Sequence, residues 1–182
     1  MMTQNNSRFI KLFDKFEKLE QNLAALLIHN YNLFKLLKFE DFNPLSHDIS
    51  DEDIQDMITE FDAKLQRNPN CRVFFEPFTG TAEEQQKAQI RIYPAQVNPN
   101  NVYLGDLYVQ VDVIVNQRIS KIVGGRRRNR IASELIETLN GQDVGLVNDF
   151  RIVDKPVLAI RQFKGDFWGY SMLFTTGVSA IG

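Results

Sequence analysis

Leu107, Val109, Val111, Val113 and Val115 fall at every second position of one uninterrupted segment. A period of two puts all five on one face of a β-strand, so this segment must line one side of a core. Tyr108, Gln110, Asp112 and Asn116 alternate with them, joined by Ile114. The expected strand therefore has one buried face and one mostly polar face. The residues beyond Asn116 limit the topology further. Gly124-Gly125 breaks the chain, and Ile131, Leu135, Ile136 and Leu139 then recur at helical spacing over roughly Arg126 to Leu139. Gly141 is suited to the left-handed position that ends a helix. Ile152 to Phe163 reads as one or two strands interrupted at Pro156. A last strand, Phe167 to Val178, is joined to it through a hairpin turn at Gly165.

Upstream, Phe9, Ile10, Phe13, Phe16, Leu19, Leu23, Leu26, Leu27, Leu33, Phe34 and Leu37 follow steps of three and four over residues 8–39. They form one amphipathic helical stripe, with Ser7 as its N-cap and a break near His29-Asn30 that divides it in two. The stripe needs a cover, which is either the chain's own core or a neighbouring subunit. Residues 40–49 read as a loop. Ser50 to Asp53 resembles a capping box opening a second helix whose stripe is Ile54, Met57, Ile58, Phe61 and Leu65. Cys71 to Phe75 and Gln89 to Tyr93 are short strands stopped by Pro77 and Pro94. Thr79 to Glu84 is turn-like, and residues 96–101 are a loop.

The expected fold class is α+β: an antiparallel or mixed sheet of four to six strands, packed with a helix on one face, plus an N-terminal helical region. Residues 1–69 form the helical part and residues 70–182 the α+β core, read as one compact unit. At 182 residues and 43% hydrophobic content the chain has enough apolar material for a single core, and its 14 phenylalanines make that core aromatic. The formal net charge is −2, so the overall field favours no partner of either sign. The first residues are polar, so no secretory leader is expected, and the longest apolar run, Leu23 to Ile28, is too short to span a bilayer. A soluble, intracellularly made protein is expected.

Catalytic chemistry has little to draw on. The two histidines, His29 and His47, lie in a helix and a loop, and the one cysteine, Cys71, opens a strand as a small buried residue. No metal-ligand spacing and no phosphate-binding glycine motif is present. Asp48, Asp51, Glu52, Asp53 and Asp56 read as a solvated helix start; they lack the glycine and ligand spacing of a calcium loop. Asp106 and Asp112 share one strand face, where paired acids are usually solvated. The expectation is no enzyme, no cofactor and no metal.

Arg126, Arg127, Arg128 and Arg130 are different. Four cations at a helix start oppose the macrodipole, each at a few tenths of a kcal/mol. Pairing with Glu134, from Arg130 and from the similar side occupied by Arg127, offsets part of that. Three readings fit: a solvated helix start, an intersubunit salt-bridge surface, or contact with nucleic-acid phosphates. With a sequence pI of about 5.7, the chain lacks the basic surplus of a dedicated nucleic-acid reader. Trp168, Tyr170, Met172 and Phe174 line one strand face, as core, as interface or as a stacking platform.

Several segments together resemble the tail terminator proteins of tailed bacteriophages and their neck relatives. They are the strand LYVQVDVIVN, the helix opening GGRRRNRIASELIETLNGQ, the connector with Val144-Gly145, and the final strand WGYSMLFTTGV. The stretch NLFKLLKFEDFNPLS resembles a leader of phage neck-region proteins. The resemblance covers more than half of the chain, from about Gln89 to Gly182. It implies a homo-oligomeric, hexameric ring on the last ring of the tail tube, ending tail elongation and offering a surface for head attachment. The implied partners are the tail tube protein on one side, a stopper or adaptor connector on the other, and double-stranded DNA passing through the lumen. The implied location is the head–tail junction of the virion, after synthesis in the host cytoplasm. The helical region over residues 1–69 departs from a minimal terminator and keeps a head-completion, stopper or other neck connector protein as the alternative. A DNA-binding module is a further one. Arg126, Arg127, Arg128 and Arg130, set against Asp51, Asp53 and Asp56, are the candidate interface or channel residues, because cyclic association needs two different matching patches.

Overall fold

The computed structural model describes residues 3–61, 63–77, 87–100, 104–153 and 158–179, without the side chains of 3–12 and of Leu158. The fold is α+β. Among the described residues, helices α1 (Thr3–Leu27), α2 (Tyr31–Lys38) and α3 (Asp51–Ile58) precede strands β1 (Val73–Phe74), β2 (Gln89–Pro99) and β3 (Leu104–Asn116). A small hairpin, β4 (Lys121–Ile122) and β5 (Gly125–Arg126), leads into α4 (Arg127–Leu139). Strands β6 (Arg151–Ile152), β7 (Leu158–Gln162) and β8 (Phe167–Ser179) complete the chain. The main sheet runs β1-β2-β3-β8, with β6 and β7 both paired to the far side of β8. Among the described strands, only β1 and β2 pair in parallel.

The β3–β8 ladder is the spine. Val109 faces Phe174, Val111 faces Met172, Val113 faces Tyr170 and Val115 faces Trp168. All five expected apolar residues of β3 are buried, as are Ile131, Ala132, Leu135 and Leu139 of α4 above them, with Ile136 half-buried. Leu19, Leu23 and Leu27 of α1 and Leu33, Phe34 and Leu37 of α2 belong to the same hydrophobic cluster, so from Leu19 onward the helical stripe is covered by its own chain. Fully burying each such side chain is worth about 1.5–3 kcal/mol. Gly169 allows β8 its closest approach to β3: a Cβ there would stand 1.6 Å from the Val113 carbonyl oxygen.

Helix boundaries follow local capping chemistry. Asn30 separates α1 from α2, its side chain accepting from the Leu33 N–H at 2.9 Å. Ser50 and Asp53 form the expected capping box. Gly141, at φ +81°, ends α4 and donates to the Phe150 carbonyl at 2.7 Å. The Lys164–Asp166 hairpin is closed by the Phe163 N–H donating to the Phe167 carbonyl at 2.9 Å.

Other expectations need correction. Ser7 is not an N-cap, because α1 starts at Thr3. The second helix ends at Ile58: the Asn68 side-chain amide donates to the Asp56 and Thr59 carbonyls, satisfying groups that a further turn would have used. Phe61 and Leu65 are consequently exposed, at 50% and 84%. The strand expected over Cys71 to Phe75 is only Val73–Phe74. Pro94 does not stop β2. Strand β1 pairs only as far as Arg91, so the missing proline N–H costs no ladder bond, and a register shift between Pro94 and Gln96 absorbs the distortion. The expected loop at 96–101 is therefore largely strand. The Thr79 to Glu84 turn and the Pro156 interruption lie outside the described residues.

The second face of β3 is also more buried than alternation suggests. Asp112, Ile114 and Asn116 are all enclosed. The Asp112 carboxylate accepts from Ser171 Oγ at 2.6 Å, Gln110 Nε2 at 2.9 Å and Tyr93 Oη at 3.1 Å. Burial, then the Asp112 charge, pushes the Tyr93 phenol up to about 12.

Candidate interaction surface

The arginine cluster divides into two kinds of residue because successive helical positions point about 100° apart. Arg127 turns inward and is fully buried. Its Nη1 donates to the Leu36 carbonyl at 2.7 Å and the Phe39 carbonyl at 2.5 Å. Its Nη2 donates to the Asp41 carbonyl at 2.7 Å, and its Nε to the Ile119 carbonyl at 2.8 Å. Leu36 and Phe39 stand at the C-terminal end of α2, where a cation opposes the negative end of the helix dipole. Burial lowers the Arg127 pKa, and the nearby Asp41 and Glu40 charges work against that. Arg127 is thus a buried clamp that ties α2 and the loop after it to the start of α4. It cannot be a surface or channel residue, nor a partner for Glu134, as its sequence neighbourhood suggested.

Arg126, Arg128 and Arg130 stay accessible. Arg130 makes the expected i,i+4 pair with Glu134, Nε to Oε1 at 3.2 Å. Arg126 caps the helix without a side-chain hydrogen bond to it and donates to Ser120 Oγ at 3.4 Å. Arg128 lies over the Tyr170 ring, 5.7 Å from its centroid, a cation–π contact. The Tyr170 hydroxyl in turn donates to Asn129 Oδ1 at 2.8 Å.

Arg126 and Arg128 form one wall of a groove of about 300 Å³, floored by Val115, Gln117 and Ser120 and closed by Ile160 and Trp168. The groove exists because the apolar face of the sheet outruns its helical cover. Along β8, Phe174 and Met172 are buried and Tyr170 nearly so, whereas Trp168 is 36% exposed. Ile160, opposite Tyr170 on β7, is 62% exposed. The arginine cluster and the aromatic row, separate features in the sequence, meet here.

The acidic candidates sit elsewhere, on α3. Asp51 accepts from the Tyr31 hydroxyl. Asp53 pairs with Lys38 at 2.6 Å and closes the capping box. The Lys38 contact, with the backbone N–H of Ser50, holds the Asp53 carboxyl below the usual range. Asp56 Oδ1 accepts from Asn68 Nδ2 at 2.7 Å. The structure does not bring these acids into contact with the arginines of the same chain.

The remaining candidates have local roles. His47 stacks on Phe39 and pairs with Asp41, 2.6 Å from Nε2 to Oδ2. His29, expected in a helix, lies in the Ile28–His29 turn that follows α1. Cys71 is buried, and burial pushes its thiol up to about 12. Asp106 lines a shallow groove of about 470 Å³ with Asp149, Arg151 and Thr175, while Asp112 is enclosed away from it. Among the described residues, no group of three or more His, Cys, Asp or Glu side chains is arranged to hold a metal ion. Among them, too, no helix is long and apolar enough to cross a membrane. Sequence reasoning missed the Arg127 clamp and the Asp112 network. Neither leaves a signal in spacing, since the acceptors of Arg127 are backbone carbonyls and the groups around Asp112 come from three strands.

The molecule so defined is an α+β chain with an exposed basic and apolar groove at one margin of its sheet. Residues 30–176 match the YomW family, and the chain belongs to that family, which is phage-associated. No curated protein matches the chain at a significant level.

Proposed function

We propose that the chain is a structural subunit of the phage neck, a tail terminator that caps the tail tube, ends its elongation and provides the surface for head attachment. The observation that carries this reading is the long-strand, helix, hairpin order over β3, α4, β7 and β8, in a chain that belongs to a phage-associated family. In this reading the subunit is not an enzyme. It acts as a homo-oligomeric, hexameric ring at the head–tail junction of the virion. It sits between the tail tube protein and a stopper or adaptor protein, with double-stranded DNA passing through the lumen.

A rigid sheet supports the role. Its central ladder runs without interruption from Leu104–Ser179 to Asn116–Phe167. The groove at Arg126, Arg128 and Trp168 adds an accessible surface of the kind a ring neighbour needs. The test is to mix purified protein with isolated tail tubes and locate it by electron microscopy. Density at one end of each tube, with further tube growth blocked, is expected. Binding along the tube wall, or no binding, contradicts the terminator role; attachment to the head vertex alone makes it a stopper or connector instead.

A further inference from the structure

We propose that the groove at Arg126, Arg128, Ile160 and Trp168 receives the α3–Leu65 corner of a second copy of this chain. The inference deepens the ring-subunit reading above and rests on it. The strand order places the two surfaces apart. The groove is bounded by β7 and β8, whereas α3 packs against β1 at the other margin of the sheet. From β1 to β7 is four strand spacings, roughly 19 Å at about 4.8 Å each. Two different surfaces on opposite margins cannot meet within one chain. They can meet between copies, head to tail, in the heterologous contact that generates a closed ring.

The surfaces match in two respects. In charge, the groove presents Arg126 and Arg128. The α3 corner presents the exposed Asp48, Asp51, Glu52 and Asp56. Of the cations around them Lys38 pairs with Asp53, Arg67 pairs with Glu60 and Glu76, and Lys64 stands beside Leu65, so the acids outnumber the basic groups. In apolar surface, Trp168 and Ile160 lie open on one side. Phe61 and Leu65, in the segment leaving α3, lie open on the other. Leu65 is also the one non-glycine residue at positive φ, +59°, among the described residues, so the corner holds a large apolar side chain outward in a backbone conformation that disfavours it. A chain whose net charge is only −2 thus carries a pole of each sign.

The test uses charge reversal on the full chain. Arg126→Glu/Arg128→Glu makes the groove acidic, and Asp48→Lys/Glu52→Lys/Asp56→Lys makes the corner basic, three lysines outweighing Asp51. These five side chains are at least partly exposed. The changes remove the Arg128 contact with Tyr170, the Asp56 bond to Asn68 and an acid from the start of α3, so circular dichroism should keep the wild-type shape and melting should fall by only a few degrees. Each variant alone is expected to lose the wild-type oligomer and sediment as a monomer. Their equimolar mixture is expected to regain it, because each groove then meets a corner of opposite sign. Leu65→Ser should weaken association without changing charge. Two results overturn the proposal: wild-type mass retained by either reversed variant, or a mixture that stays monomeric. Association is read in solution without tail tubes. Restored mass without binding at tube ends would therefore refute the neck reading while leaving this contact standing.

Discussion

Arg127 and its neighbours Arg126 and Arg128 are one residue apart in sequence and belong to different regions of the molecule. The first lies in a closed socket of four backbone carbonyls; the other two line an open groove. The guanidinium is the same in each case. What differs is direction around the first turn of α4 and what the chain places there. The socket offers acceptors at the end of α2, whose dipole favours a cation, and a planar fork of five donors can bond several of them together. The groove offers an aromatic ring, a hydroxyl and open space. A run of arginines is therefore not one functional unit: part of it holds the helices together, and the rest is available to a partner.

The largest effect should come from breaking the socket. Arg127→Ala leaves the buried Leu36 carbonyl and three part-buried ones without their donor and should cost about 3 kcal/mol or more, read as a lowered midpoint in urea unfolding. Arg127→Lys keeps the charge but cannot reach all four acceptors, so about half of that loss should remain. Next is the polar network behind the sheet. Asp112→Ala removes the acceptor of Ser171 and Tyr93 and should cost about 1–3 kcal/mol. It should also lower the Tyr93 pKa from about 12 in a spectrophotometric titration, although burial, the larger cause, remains. In the groove, Arg128→Ala should lose only the cation–π contact, about 0.5–1 kcal/mol, and Arg126→Ala should change stability by less than about 0.5 kcal/mol. Equal destabilisation by Arg126→Ala and Arg127→Ala would erase the distinction between the two regions.

The effect at α3 is small and depends on pH. The Asp53 carboxyl is held low in the folded state by Lys38 and the Ser50 N–H. A depressed carboxylate contributes stability that is present above its unfolded pKa and lost as pH falls through its folded one. The pair is about a third exposed on each side, so the contribution should stay below about 1 kcal/mol and begin to fade below about pH 4. Asp53→Asn should flatten that part of the acid-unfolding curve.

Much of the fold was legible in the sequence because it rests on strict periodicity. The period-two run from Leu107 to Val115 and the helical stripe of α4 admit one burial each, and Asn30, Ser50, Gly141 and Gly165 mark their breaks by local chemistry. Pro94 misled because a proline reads as a strand stop unless one knows that the neighbouring strand has already ended. Leu65 misled because the helix was ended by Asn68, a side chain well beyond its last turn. The candidate site was legible as ingredients, the arginines and the aromatic row. That Trp168 and Ile160 emerge from under α4 beside Arg126 and Arg128 depends on how far the helix covers the sheet, which no local pattern encodes.

A ring of subunits is tested most directly by the solution mass of the wild-type chain, followed by sedimentation velocity across protein concentration and salt. A closed ring near six copies is expected, dissociating toward about 1 M salt, where the screening length falls to about 3 Å. A monomer at every concentration would refute it; a ring indifferent to salt would refute the charged contact between copies and leave the ring standing.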